Sequence, residues 1–356
     1  MNDIYRTLQE RLDLYSFGFP ESGSGDDIML LKKLFTEEEA GIFLMLTPKL
    51  ETPEEIIKRT GIPGNGFGEK LEDMASRGLL FRLNRNGIKR YGAIPFMHGL
   101  VEFRINNLDA ELSRMLDNYF QSTFNKNIAE NAGMFLRVVP VNKAVVVEHH
   151  VAAFDDASQI LKNNEELIVV ADCTCRKKSG ITGTSCGKPL ETCFMFGSMA
   201  EYYIENSIGR KVEYDEAVTI LREAQESGLV TQPSTSQNPA GMCNCCGDCC
   251  GVLGAIKKFP APAELVFSNY YSSVNDFACI GCAACEEICP MEAINSSETG
   301  IAKVDLNRCI GCGLCAMKCP ADAVKLVEKP ENKKRSVPAD TREQMTLMAR
   351  QRGLIK

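Results

Sequence analysis

The sequence predicts an α+β protein of several domains, and three observations carry that reading. The chain has 356 residues, room as a prior for about two to three domains. Its first half carries helical periodicity interrupted by one strong hairpin signal. Its 17 cysteines all lie from Cys173 onward, so the second half has a different chemistry.

Composition excludes several function classes. A hydrophobic share of 44% allows an ordinary packed core. The net charge of −7 and pI near 5.3 argue against a protein whose main task is holding a polyanion. No run reaches the roughly 18 apolar residues of a spanning helix. The opening MNDIYRTLQERLDLY lacks the basic, apolar, small-residue layout of a signal peptide, so the expected location is the cytoplasm. An odd cysteine count in a long chain with no such signal is not a disulfide framework. Reduced thiols stay free to bind metal. With only 3 histidines, thiolate is the expected ligand.

Residues 1–95 read as a helical lead-in with a soft break at Ser22-Gly23-Ser24-Gly25, then helix, helix, helix and hairpin. Thr52-Pro53-Glu54-Glu55 is a cap with proline and acids in the first turn. A helix over 68–77 is stopped by Gly78. Strand runs at 79–83 and 88–91 flank Asn86-Gly87, a type I′ turn signal. This order over 37–95 resembles a winged helix, a fold often used on DNA. The helix that would face a duplex carries Glu69, Lys70, Glu72 and Asp73 before Arg77, and the wing carries Arg82, Arg85, Lys89 and Arg90. The acids disfavour phosphate contact. Docking of protein is therefore expected over DNA, with DNA as the alternative.

Residues 96–130 predict a long connecting helix. Leu100, Phe103, Leu108, Leu112, Met115, Leu116 and Tyr119 recur at helical spacing over 98–124. Apolar positions on more than one face suggest a homodimer or hetero-complex. Residues 131–260 predict a mixed α/β cysteine-rich domain. Strands are expected at 137–141, 144–148 and 167–171, and helices at 155–162, 198–206 and 215–227, the last capped by Asp215. Residues 231–241 read as a turn-rich linker. His149-His150 reads as a strand end, and Phe194-Met195-Phe196 and Tyr202-Tyr203 as helix core. No G-x-G-x-x-G with a following acid and no P-loop is present, so no nucleotide site is expected. A flavin site is not decided by motif. The tail, 329–356, is charged, with Lys333, Lys334 and Arg335 in a row, and is expected to run extended into a short helix.

Within 271–328, Cys279-x-x-Cys282-x-x-Cys285-x-x-x-Cys289-Pro290 recurs as Cys309-x-x-Cys312-x-x-Cys315-x-x-x-Cys319-Pro320. The spacing resembles that of bacterial two-cluster ferredoxins. The resemblance implies two 4Fe-4S clusters. One would be held by Cys279, Cys282, Cys285 and Cys319, the other by Cys309, Cys312, Cys315 and Cys289, because the fourth cysteine of each run ligates the other cluster. Gly281 and Gly311 would let the backbone approach the sulfides. Short helices are expected after Pro290 and Pro320, and strands at 302–304 and 325–327. Zinc prefers four ligands in paired arms rather than two identical quartets.

Nine further thiols remain: Cys173, Cys175, Cys186, Cys193, Cys243, Cys245, Cys246, Cys249 and Cys250. Arg176, Lys177 and Lys178 beside the first pair favour thiolate. Cys193 is expected to open a helix, whose amides favour an anion. The arrangement over 165–330 looks like a cysteine-rich domain found beside dicluster ferredoxin modules in anaerobic bacteria and archaea. The doublets at 245–246 and 249–250, each followed by glycine, also resemble the CCG motif of heterodisulfide reductase subunits, though that family spaces them far apart. A third iron–sulfur cluster is expected, with zinc or free redox thiols as alternatives. Adjacent cysteines rarely ligate one iron, so some of 243–250 are expected to serve different sites.

The expected function is low-potential transfer of single electrons, in complex with an oxidoreductase subunit that carries flavin or another metal. Two alternatives stand beside it: an iron–sulfur redox sensor acting on transcription, and an oxidoreductase using the cysteines of 173–250.

Overall fold

Three of the five helices of the amino-terminal third start at side-chain caps, Asp3, Thr36 and Thr52, and two at glycines, Gly25 and Gly66. In the computed structural model, which describes residues 3–141 and 156–355, they run over Ile4–Asp13, Asp26–Leu34, Glu37–Met45, Pro53–Thr60 and Phe67–Ser76. Thr36 with Glu39 and Thr52 with Glu55 each close a capping box, which satisfies amides that a helix start leaves orphaned. Strands β1 (Phe81–Arg85) and β2 (Ile88–Gly92) pair antiparallel. Between them Asn86 and Gly87 take φ of 54° and 77°, as a type I′ turn requires. Glu51 bridges to Tyr91 and extends the hairpin. The expected order of three helices and a hairpin holds.

The single long helix expected over 98–124 does not form. Phe96–Leu100 is a wide turn in which Met97 is extended and His98 takes φ 55°, and Ile105–Asn107 is one 3-10 turn. A helix restarts at Ala110, where Asp109 accepts the Leu112 amide, and continues through a wide turn at Phe120–Phe124 to Phe135. Gly99 and Asn106-Asn107 disfavour helix and interrupt the periodic stretch. The apolar spacing still reports burial: Leu100, Phe103, Leu112, Leu116 and Tyr119 all lie in the chain's own core. Faces read as an association surface are thus largely covered within the chain.

Strands β3 (Ile168–Asp172), β4 (Glu191–Phe196), β5 (Arg210–Val212), β6 (Val230–Pro233) and β7 (Gly241–Cys245) form a sheet in the order β5-β3-β4-β7-β6. Every neighbouring pair is antiparallel. Strand alternation sorts the side chains. Ile168, Val170, Phe194, Phe196 and Met242 pack with residues of helices Ala157–Asn163 and Tyr214–Glu226. Val169, Ala171, Met195, Cys243 and Cys245 belong to the core on the other face, with Tyr202 and Tyr203 of helix Gly197–Glu205.

Several expectations change here. Cys193 opens no helix; it lies inside β4 with Phe194-Met195-Phe196, whose aromatic residues suit a strand. Tyr202 and Tyr203 are helix core as expected. Residues 231–241 are no linker, because β6 and β7 flank a turn there. Asp215 sits in the first turn of a helix whose N-cap is Glu213. Residues 137–141 do not form a regular strand, yet their amides are satisfied: Arg137 N–H donates to Pro233 O, Val139 N–H to Thr231 O and Val141 N–H to Cys312 O. The expected strand at 144–148 and His149-His150 lie outside the described residues.

Strands β8 (Tyr270–Val274), β9 (Ile294–Ser296), β10 (Ala302–Val304) and β11 (Val324–Glu328) follow; β8 pairs with β11 and β9 with β10, both antiparallel. The short helices are Ala284–Glu287 and Leu314–Lys318, before the fourth cysteines. After Pro290 and Pro320 the chain makes only turns. In the tail, helix Thr341–Gln351 returns to helix Asn125–Phe135, and the Gln344 amide donates to Phe135 O at 2.7 Å. The charged tail is therefore part of the packed structure.

Candidate metal centres

The two repeated loops bend alike. Gly281 and Ala283 take φ of 70° and 59°; Gly311 and Gly313 take 67° and 79°. Such left-handed residues curl each loop. Cys309, Cys312, Cys315 and Cys289 line one small cavity with Ser272 and Gly311. Cys285 has Cys319 and Cys279 as its thiol neighbours, and Cys282 stands exposed on the same loop. Cys289 thus lies with three cysteines of the second run, and Cys319 lies near Cys285 of the first.

Backbone amides surround the sulfurs. Ser272 N–H donates to Cys309 Sγ (3.3 Å), Ala293 N–H to Cys289 Sγ (3.2 Å), Ala323 N–H to Cys319 Sγ (3.3 Å) and Ala302 N–H to Cys279 Sγ (3.5 Å). The Ser272 hydroxyl lies 3.1 Å from Cys315 Sγ. A Cβ added at Gly311 would stand 2.3 Å from Tyr270 O. Burial, and then the neighbouring thiols, push Cys312 well up and Cys315 up to about 12. Such thiols stay protonated alone; a bound metal supplies the opposing charge that deprotonates them. Converging thiols, donors aimed at sulfur and glycine where no Cβ fits are the features an iron–sulfur cluster needs.

The other nine thiols divide into six and three. Cys173 meets Cys175 and Cys193; Cys175 meets Cys250; Cys250 meets Cys245; Cys245 meets Cys243; and Cys243 meets Cys193. The six close into a ring that lines one cavity with Met97, His98, Glu102 and Tyr203. Sheet register builds much of it. Phe194 opposite Met242 sets Cys193 beside Cys243. Cys173 follows β3, held by its amide on Leu190 O at 2.7 Å. Contacts from Cys193 and Cys245 draw the Cys243 thiol down to about 5, whereas the contact with Cys173, and then burial, push Cys175 up. The remaining three, Cys186, Cys246 and Cys249, have their Sγ atoms within 4.8 Å of one another. Each cysteine doublet is therefore split: Cys245 and Cys250 go to the ring, Cys246 and Cys249 to the triad.

Sequence reasoning missed two supports. Asn244, fully buried between two ring cysteines, donates to Thr192 O (2.8 Å) and accepts from the Thr231 hydroxyl (2.9 Å), which pins the alternation of β7. Its polarity inside a C-x-C on a strand was the available signal. Arg176 is only 1% exposed and donates to Asn244 O (3.0 Å) and the Thr192 hydroxyl. Burial works against its charge, but Cys173, Cys193, Cys245 and Cys246 more than restore it. Those thiols come from both groups, so the guanidinium faces the ring and the triad together. A buried cation needs a counter-charge, and thiolates are the anions its surroundings offer. The half-buried Glu102 on the ring cavity accepts the Gly99 amide at 3.1 Å, and burial pushes its carboxyl up.

The groove between helices Pro53–Thr60 and Phe67–Ser76 and the hairpin is acidic, lined by Glu54, Glu69, Glu72 and Asp73 with Lys89. Several cations nearby are engaged. Arg82 is buried and pairs with Glu72 and Glu205, Lys89 with Glu72 (3.1 Å), Arg77 with Glu39 and Asp73, and Lys70 with Glu38.

A family model described as a 4Fe-4S dicluster domain matches residues 278–323. No curated protein and no solved structure matches the chain. The chain carries a ferredoxin-like iron–sulfur domain in that segment, and among the described residues no helix is long and apolar enough to cross a membrane.

Proposed function

We propose that this protein is a low-potential electron carrier that exchanges single electrons with a flavin- or metal-containing oxidoreductase partner of anaerobic metabolism. One observation supports the reading: Cys289 lines one cavity with Cys309, Cys312 and Cys315, and Cys319 neighbours Cys285 of the first run. Cys279, Cys282, Cys285 and Cys319 would hold one 4Fe-4S cluster, and Cys309, Cys312, Cys315 and Cys289 the second. When bound, these clusters supply reversible one-electron chemistry. The residues around them divide the tasks. Exposed Cys282, with Phe277 and Ile280 also exposed, opens the first site to a partner. The second quartet is more enclosed, and the Ser272 amide and hydroxyl set the field at Cys309 and Cys315.

The six-thiol ring is proposed as a further iron–sulfur site, with Arg176 as its buried counter-charge. Zinc remains the alternative metal there. The winged-helix-like module, residues 37–95, is proposed to dock protein rather than DNA. The acidic groove and the engagement of Arg82 and Lys89 by Glu72 support that choice, because duplex binding runs on free cations.

Iron and sulfide quantitation on the anaerobically purified chain, with EPR of the reduced form, tests the reading. Two interacting cluster signals and more iron than the about eight atoms of two cubanes are expected. A colourless, zinc-loaded protein would overturn it.

A further inference from the structure

We infer that Cys186, Cys246 and Cys249 bind one divalent ion of the zinc class, in a site separate from the six-thiol ring and from both quartets. The site goes beyond the electron-carrier reading and does not depend on it.

The geometry is that of a single ion. A zinc ion with Zn–S bonds of about 2.3 Å in a tetrahedral shell holds its sulfurs roughly 3.8 Å apart. Here Cys186 Sγ and Cys246 Sγ stand 3.8 Å apart, and all three Sγ atoms lie within 4.8 Å of one another. In a cubane each cysteine binds a different iron, so its ligand sulfurs stand wider than those that share one ion. Three sulfurs on one ion define the site, whatever atom completes the tetrahedron.

The chain supplies the two arms that such a site uses. Cys246-Gly247-Asp248-Cys249 has the C-x-x-C spacing of zinc-binding turns. The Cys249 amide donates to Cys246 Sγ at 3.2 Å, which folds the turn and favours negative charge on that sulfur. The second arm is the loop of Cys186, which lies 60 residues before Cys246. Its own hydrogen bonds hold it: Thr184 N–H donates to Ser179 O at 2.8 Å, and Lys188 Nζ to Gly228 O at 3.4 Å.

The surroundings suit a bound ion. Cys246 and Cys249 are buried, and with Cys186 they pack against Ala224 and Leu229, whereas Cys243, Cys245 and Cys250 of the ring belong to the main core. Buried charge in an apolar setting is paired or coordinates a metal. Three thiolates and one divalent ion leave a single negative charge, and the buried Arg176 guanidinium, which Cys246 faces, opposes it. The triad also meets the dicluster segment. A Cβ on Gly247 would collide with Pro290 O, and one on Gly228 would lie 3.2 Å from Ile288. The ion thus fixes the turn against which the residues flanking Cys289 pack.

The test uses the full chain, purified anaerobically from medium supplied with zinc and iron. It should carry one zinc ion per chain beside its iron. X-ray absorption at the zinc edge should show sulfur neighbours at about 2.3 Å and no iron neighbour. Cys246→Ser and Cys249→Ser should lose the zinc, and Cys175→Ser, in the ring, should keep it. Dicluster EPR signals retained in each variant report folding. In the unmutated chain, removing the zinc with a chelator should open Cys186 to alkylation, read by peptide mass spectrometry, while the dicluster signals stay. No zinc in the intact chain would overturn the inference, as would an iron neighbour at the zinc edge. So would zinc that persists in Cys246→Ser and Cys249→Ser or leaves with Cys175→Ser instead, a disulfide joining Cys186 to Cys246, or alkylation of Cys186 that chelation does not change. Failure of the electron-carrier reading looks different: the dicluster signals would be missing from a chain that still holds its zinc.

Discussion

Gly281 and Gly311 occupy the same place in the two cysteine repeats, yet alanine should be tolerated at one and not at the other. Both take a left-handed backbone, with φ of 70° and 67°, so each substitution costs about 1–2 kcal/mol in conformation alone. Their surroundings differ. At Gly281 the nearest atom to an added Cβ is Gly300 O at 3.0 Å, on a turn that can yield by a few tenths of an ångström. At Gly311 it is Tyr270 O at 2.3 Å, and Tyr270 is fixed opposite Glu328 in the β8–β11 pair. Overpacking against such backbone adds about 1–3 kcal/mol. Gly311→Ala should therefore be worse than Gly281→Ala by about 1–3 kcal/mol, which is roughly 5- to 150-fold in the equilibrium that holds the loop closed. Ala283 is an internal control, since an alanine already lives at φ 59° in the first loop. Iron per chain and the rate of visible bleaching on warming would be measured side by side. Gly281→Ala should keep near wild-type iron, while Gly311→Ala should lose the second cluster and bleach faster. Equal behaviour, or a worse Gly281→Ala, would refute the steric argument.

Cys289→Ala should abolish the EPR signal of the cluster assigned to Cys309, Cys312 and Cys315 and spare the other; loss of the sequence-local cluster instead would break the crossed assignment. Arg176→Met removes the charge facing ring and triad, so potentials of centres held there should move negative in a redox titration, with Arg176→Lys restoring part of the shift; unchanged potentials would show that Arg176 only packs. Stripping iron with chelator and oxidant should leave Arg176 without its counter-charge, and hydrogen exchange in β3, β4 and β7 should rise; unchanged protection there would argue against a metal. The chain should show no sequence-specific duplex binding tighter than about micromolar at roughly 150 mM salt; nanomolar binding to a promoter in a gel shift would move the redox-sensor reading to first place.

Local signals were legible and long-range ones were not. The cap at Thr52 and the turn at Asn86-Gly87 are set by residues within four positions of one another, and each forms where the sequence indicates. The stretch 98–124 failed because periodicity reports which residues are buried, not that one unbroken helix buries them. Leu100 and Leu112 are both core, yet Gly99, Asn106 and Asn107 decide the backbone between them. β4 was missed for a related reason. Cys193 and Met195 carry no strong preference, and β4 becomes a strand because β3 and β7 flank it, partners that lie apart in sequence.

The same distinction separates the two cysteine regions. In the dicluster repeat, ligand grouping follows from two runs of seven residues, 279–285 and 309–315, and a crossing that the ferredoxin resemblance implies. The nine earlier thiols are grouped by a sheet. Cys193 and Cys243 are fifty residues apart and meet only through the β4–β7 register, and Cys173 reaches them from the end of β3. Alternation on β7 sends Cys243 and Cys245 to one face, while the chain leaves the strand before Cys246 and carries it to the other group. The doublet Cys245-Cys246 therefore marks a strand end where two sites part, rather than a pair of ligands for one metal. The pinned Asn244 makes this division sensitive. Asn244→Ala would remove the hydrogen bonds to Thr192 and Thr231 and leave buried polar groups unsatisfied at a cost of about 1–3 kcal/mol. That loss falls on the strand that feeds both groups, so it should disturb ring and triad together while leaving the dicluster signals unchanged. Metal loss confined to one group would mean that the two are anchored independently of β7.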